Sequence, residues 1–262
     1  MTIFKQEIKS QKLAILIWSL SIGLLVAVCV LMYPDMKSQM SDVNDMFSSM
    51  GKFTQAFGMD QLNFGTLVGF YAVEGGNMLG IGGAFFAAII GVSALMKEEK
   101  ERTAEFLMTH PVSRKRVITE KLASTFAIII MMNVVVFICS LSSIAIIGED
   151  IFWKELILFH VAYLLMQFEI AGICFGISAF IKRAGIGIGI GIAGLMYLLN
   201  IVANISDGAK FLKYITPFGY TETSDIINSG EINMGYLIPG MIIMVICVVI
   251  AYIKYSRKDI AA

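Results

Sequence analysis

Six stretches of this chain stay apolar for about the twenty residues that a helix needs to cross a bilayer. They cover residues 13–33, 76–96, 125–147, 156–181, 185–203 and 236–255. Nothing else in the sequence restricts the fold as much. Lipid supplies no hydrogen-bond partners, so each crossing segment must satisfy its own backbone, and a helix does so within one segment. A soluble core offers no escape: 57% of the 262 residues are hydrophobic and 15% are charged, against about 25% charged in ordinary soluble domains. The expected fold class is all-α integral membrane, with one transmembrane domain over residues 1–262.

Charge sets the orientation. With the N-terminus inside, Lys5, Lys9 and Lys12, the segment 97–121, Lys182 and Arg183, and Lys254, Arg257 and Lys258 put fifteen of the twenty Lys and Arg on the cytoplasmic side. The outer loops 34–66, 148–155 and 206–234 each carry a net charge of −2. Both termini are therefore expected in the cytoplasm. The first run is too long for the apolar core of a cleaved signal and lacks a small-residue cleavage site, so it reads as a retained span.

Two outer loops are long enough to fold. In 34–66, Met36, Met40, Val43, Phe47, Met50 and Phe57 recur at helical spacing, which predicts an amphipathic helix on the membrane or against the other spans. In 206–234, Pro217-Phe218-Gly219-Tyr220 predicts a turn whose aromatics suit the headgroup layer. At the N-terminus, Ile3, Phe4 and Ile8 alternate with the three lysines as in a short interfacial helix, its apolar residues toward lipid.

Several patterns carry little chemistry. The four cysteines lie in apolar runs without metal or redox spacing. Gly189, Gly191 and Gly194 match a dinucleotide fingerprint only formally, since no strand precedes them. The glycines from Gly185 to Gly194, and Gly75, Gly76, Gly80, Gly82, Gly83 and Gly91, instead fit close helix packing or a span that moves. No metal cluster, catalytic site, hydrolase elbow or paired carboxylate stands out, and the neutral net charge gives no reason to expect nucleic acid. There is no P-loop either, so a separate subunit would have to bind any ATP. Glu169 falls mid-span, where a carboxylate costs about 2.5–3.5 kcal/mol on insertion scales. His160, Tyr163 and Gln167 share the same span on another face. These four are candidates for a polar or substrate path, or for structural residues satisfied by neighbours.

The segment 97–121 holds seven of the twenty basic and five of the twenty acidic residues. It begins as a continuation of the second span, with Glu98 and Arg102 paired at i, i+4. Phe106, Leu107 and Met108 form an apolar knob, Pro111 breaks the helix, and Ser113 stands where an N-cap would start the next one. Such a knob in water fits a docking surface; a hairpin lying on anionic headgroups is the alternative. The run Glu98-Glu99, Arg102-Thr103-Ala104-Glu105-Phe106-Leu107, Pro111-Val112-Ser113-Arg114 and Lys121 resembles the ABC-2 type permeases, the membrane subunits of ATP-binding-cassette exporters. Arg102 stands where that family often has Gly.

The resemblance implies a six-span fold with a cytoplasmic coupling helix between spans two and three and further helices outside. Glu98, Glu99, Arg102, Thr103, Glu105, Phe106 and Leu107 would form or flank the surface that docks an ATPase subunit. Pro111, Val112, Ser113 and Arg114 would shape the return into span three. It implies an ABC ATPase holding ATP and magnesium as one partner, with no cofactor in this chain itself. A second copy or a related permease would be the other, in a bacterial plasma membrane. The apolar spans favour an amphipathic or hydrophobic cargo: peptide first, then lipid or drug. A membrane scaffold or sensor docking a cytoplasmic regulator is the rival reading, followed by an intramembrane lipid-modifying enzyme.

Overall fold

The structure, a computed structural model, describes residues 2–37, 46, 50–58, 62–100, 113–181 and 185–257, without the side chains of 98–100. Every regular element among the described residues is helical. The long helices are α1 (Thr2–Met36), the pair α3 (Leu67–Asn77) and α4 (Gly83–Lys100), α5 (Arg114–Ile147), α6 (Trp153–Ser178), α7 (Ile186–Ile205) and α9 (Met234–Arg257). A π-helical turn, Met78–Gly82, joins α3 to α4. That makes six segments long and apolar enough to cross a membrane. Between them lie a short α2 (Lys52–Ala56), two 3-10 segments (Asp207–Tyr214 and Pro217–Tyr220) and α8 (Thr223–Ser229).

Most helices outrun their apolar stretches because polar ends satisfy local needs. Ser113 caps α5, accepting from the Arg116 amide at 3.3 Å, as its position predicts. Gly148 ends the same helix in a left-handed conformation, φ 71°, which glycine adopts without strain. Thr66 caps α3 by accepting from the Gly69 amide. The N-terminal residues extend α1 continuously from Thr2. Ile3 and Ile8 are half-buried and pack on protein, while Lys5, Lys9 and Lys12 remain exposed. The apolar face expected to meet lipid meets the bundle instead.

The bundle centres on α6. Two thirds of its apolar window is buried, against 22% for α7 and 17% for α9. The sequence explains the contrast. Residues 160, 163 and 167 fall on one helix face and 169, 172 and 176 on the opposite one. The first face meets the glycine side of α3–α4: a β-carbon on Gly80 would lie 3.1 Å from Tyr163 Cε1, and one on Gly83 would overlap the Gln167 amide. Further along, Gly91 lets α4 approach the Ala171 carbonyl. The second face meets α9, where Gly172 faces Met244 and a Gly176 β-carbon would lie 2.8 Å from Cys247 Cβ. Small residues allow this approach on both sides, which is how helices associate in lipid.

Glycine serves α7 differently. Gly189 approaches the Ala88 carbonyl, but β-carbons at Gly185, Gly187, Gly191 and Gly194 would meet nothing within 4 Å. Within the described residues, close packing therefore accounts for one of the five.

Chain ends and turns fix two sides. On the terminus side, the start of α1, the start of α5 and the end of α9 converge: the Phe4 amide donates to Glu120 at 3.1 Å, and Arg114 to the Ser256 carbonyl at 3.4 Å. On the far side, Tyr33 donates to the Gly65 carbonyl and Lys37 pairs with Glu149. The segment after α7 folds back into the bundle here. Thr216 donates to the carbonyl of Met196, halfway along α7, at 2.7 Å. Pro217, Phe218, Gly219 and Tyr220 are all buried as a result. The headgroup position expected for these aromatics does not hold, because Phe218 packs edge-on against Tyr197 at 5.3 Å and Tyr220 points into the core.

Candidate functional site

Residues 101–112 lie outside the described residues, and with them Arg102, Thr103, Glu105, Phe106, Leu107, Pro111 and Val112. Glu98 and Glu99 belong to α4, but their side chains lie outside the description. The two ends of the segment are well placed. α4 carries the helix past the apolar run to Lys100, and α5 restarts at Arg114 under the Ser113 cap.

Lys121 ties these ends together. Its side chain, 1% exposed, pairs with Glu7 at 2.7 Å and donates to the Ala94 carbonyl at 2.8 Å. One ammonium therefore joins α5 to α1 and to the last turns of α4. A buried ammonium needs partners of this quality to offset its lost hydration. Thr119 shares a hydrogen bond with Tyr252 of α9 at 2.9 Å, and Leu95, Val117, Ile118, Phe175 and Tyr255 pack into an apolar cluster beside it. The base of the charged segment, where α4 ends and α5 begins, is thus braced against α1, α6 and α9.

The four polar residues of α6 are all buried, yet none bonds another of the four. His160 Nε2 and Ser140 Oγ lie 2.9 and 2.8 Å from the Tyr71 hydroxyl. Gln167 accepts from Asn133 of α5 at 2.6 Å and donates weakly to the Leu79 carbonyl at 3.5 Å. That carbonyl belongs to the π-helical turn and also accepts from the Gly83 amide. Tyr163 sits in the cradle of Gly76 and Gly80. Glu169 lies on the opposite face, accepts from Tyr220 at 3.0 Å, and faces Gly240, where a β-carbon would overlap its carboxyl group. Its Oε1, together with His160 Nδ1 and Asn133 Oδ1, has no hydrogen-bond partner among the described residues. The arrangement is a set of separate interhelical ties around one helix. His160 and Tyr163 meet α3, Gln167 meets α5 and the π-helical turn, and Glu169 meets Tyr220 and α9.

Sequence reasoning passed over one acid. Glu222 follows the re-entrant 3-10 segment and accepts from Asn204 at 3.0 Å and from Asn200 at 3.4 Å, both on α7. It closes a far-side recess of about 50 Å³ lined also by Tyr163, Tyr197 and Phe218. Burial pushes its carboxyl above the ordinary range, opposed by Lys213 and by the two amide donors. The signal was faint: Asn200 and Asn204 at i, i+4 in an apolar span, and an acid just after a buried turn. Among the described residues no three His, Cys, Asp or Glu could hold a metal together.

A comparison with curated proteins finds no match. The sequence profile described as ABC-2 family transporter protein matches residues 1–260, which takes in all six membrane-length segments and the charged segment. This chain belongs to the ABC-2 transporter family, as a multi-pass membrane component of an ABC transporter.

Proposed function

We propose that this chain is the permease subunit of an ATP-driven exporter, and that the segment 97–121 is where a separate ATPase subunit takes hold of it. The observation that carries the proposal is the pairing of the family match with the brace beneath the segment. A docking surface transmits force only if its base is fixed to the parts that must move. Lys121, with Glu7 and Ala94, joins α4, α5 and α1 at the base of the segment. In this reading Glu98, Glu99, Arg102, Thr103, Glu105, Phe106 and Leu107 meet the ATPase, and Pro111, Val112, Ser113 and Arg114 shape the return. ATP and magnesium belong to that partner. The terminus side is the cytoplasmic face of a bacterial plasma membrane, in line with the fifteen-to-five distribution of basic residues.

The two least buried spans, α7 and α9, leave apolar faces for lipid or for a second permease copy. The cargo we favour is amphipathic or hydrophobic, with membrane-active peptides ahead of lipids and drugs, because the spans offer little polar lining. Affinity capture of the tagged chain from native membranes is the test. A P-loop ATPase should be retained in near-equal amount, and Phe106→Asp should release it. Retention of a non-ATPase regulator in its place would favour the scaffold reading.

A further inference from the structure

The far-side recess has a composition that selects its guest. One wall is Glu222, held by the Asn200 and Asn204 amides on a single carboxylate oxygen, Oε2. Asn200 is 7% exposed, and its amide donates to the carboxylate, so its Oδ1 is turned elsewhere and has no partner among the described residues. That amide and the one on Asn204 fix the carboxylate in the wall of the recess. Tyr163, Tyr197 and Phe218 supply aromatic walls, and Asn77, Thr221 and Thr223 line the recess as well.

We infer that this recess binds a primary ammonium group, which would donate to Glu222 against the aromatic walls. The chemistry excludes the obvious competitors. Calcium or magnesium takes six or more oxygens, commonly from several carboxylates, and this recess has one carboxylate. An anion would meet Glu222 and be repelled. A water could occupy the space but would not neutralise a carboxylate removed from bulk solvent. An ammonium supplies several donors and one positive charge, and aromatic faces attract it further. The volume, about 50 Å³, admits a guest of a few water molecules at about 10–15 Å³ each, enough for an aminomethyl head.

The recess lies between α3, α6, α7 and the re-entrant segment, beside Ala56 and Phe57 at the end of α2. An amine could arrive free or attached to a larger molecule such as a lysine-bearing peptide. The inference concerns the ammonium group and does not depend on export.

The test uses the full-length purified chain in nanodiscs. Thermal unfolding is followed with methylammonium chloride, with sodium chloride and tetramethylammonium chloride at matched ionic strength. Methylammonium should raise the melting temperature saturably by several degrees, with the two controls flat. Glu222→Gln, which keeps the shape, should abolish the shift, and Asn200→Leu should weaken methylammonium binding at least tenfold. Ligand-observed NMR of carbon-13 methylammonium reads binding directly in any variant that folds. An amphipathic lysine peptide that displaces methylammonium, while its fully acetylated form does not, assigns the site to a tethered amine. Failure of the lysine peptide to compete assigns it to the free cation. No saturable shift, an equal shift with sodium, or binding retained in Glu222→Gln would each overturn the inference.

Discussion

Spans two and five are both rich in glycine, yet the structure uses their glycines in opposite ways. In span two, Gly76, Gly80, Gly83 and Gly91 all face α6, and their missing side chains are the reason Tyr163 and Gln167 fit. In span five, among the described residues, Gly189 alone approaches a neighbour and the other four meet nothing within 4 Å. Composition is shared; the partner differs. A glycine-rich span in lipid is therefore only an opportunity for close contact, and the opposing helix decides whether it is taken. α6 takes it because its bulky polar residues recur on the face that meets span two, and its own glycines recur on the other.

The largest expected effect separates the two spans directly. Gly91→Leu and Gly83→Leu should each destabilise the protein by about 3 kcal/mol or more, since overpacking here strikes the Ala171 backbone and the Gln167 amide. Gly187→Leu and Gly191→Leu should stay within about 0.5 kcal/mol. Thermal unfolding in detergent measures both sets. Equal losses in the two spans would break the comparison. Loss of self-association in the span-five variants, with monomer stability kept, would sharpen it by assigning that face to a second copy.

A smaller change probes the other face of α6. Gly240→Ala should cost about 1–3 kcal/mol, because the added methyl displaces the Glu169 carboxyl group from its bond with Tyr220. Glu169→Gln keeps the shape and removes the titratable group. A tie that only holds helices together predicts that transport by this variant is unchanged between pH 6 and 8. A substrate or proton role predicts a changed pH profile. Asn133→Leu should cost about 0.6 kcal/mol, the usual scale for one interhelical hydrogen bond in lipid, checked by the same unfolding assay.

The smallest effect is a pH dependence. Burial raises the Glu222 carboxyl above its ordinary value of 4.5, so folding favours its protonated form. Without an amine present, stability should fall as pH rises from about 4.5 through the raised value. Lys213 and the Asn donors limit the slope. Glu222→Gln should flatten it in unfolding curves taken across that window.

How much of this was legible beforehand follows from sequence distance. Apolar length is a local property, and the six spans follow from it. The Ser113 cap is also local, being decided within three residues. The ties of the interior are not. Tyr220 reaches Glu169 across 51 positions and Lys121 reaches Glu7 across 114, and no periodicity encodes either. Glu169 could be singled out as a mid-span acid, but its partner could not. In the sequence nothing sets Glu222 apart from any loop acid, because the re-entry of the 3-10 segment depends on Thr216 finding the Met196 carbonyl. The aromatics of Pro217–Tyr220 were misplaced for the same reason. A turn with Pro and Gly is recognisable, whereas the depth at which it packs is a tertiary outcome.

The central claim is that the segment between α4 and α5 passes the work of a separate ATPase to the spans. The most direct measurement is the ATP hydrolysis rate of the ATPase alone, with the wild-type chain in proteoliposomes, and with Phe106→Asp. The wild-type chain should change the rate several-fold, and Phe106→Asp should return it to that of the ATPase alone. A rate that Phe106→Asp leaves equal to the wild-type complex would contradict the account.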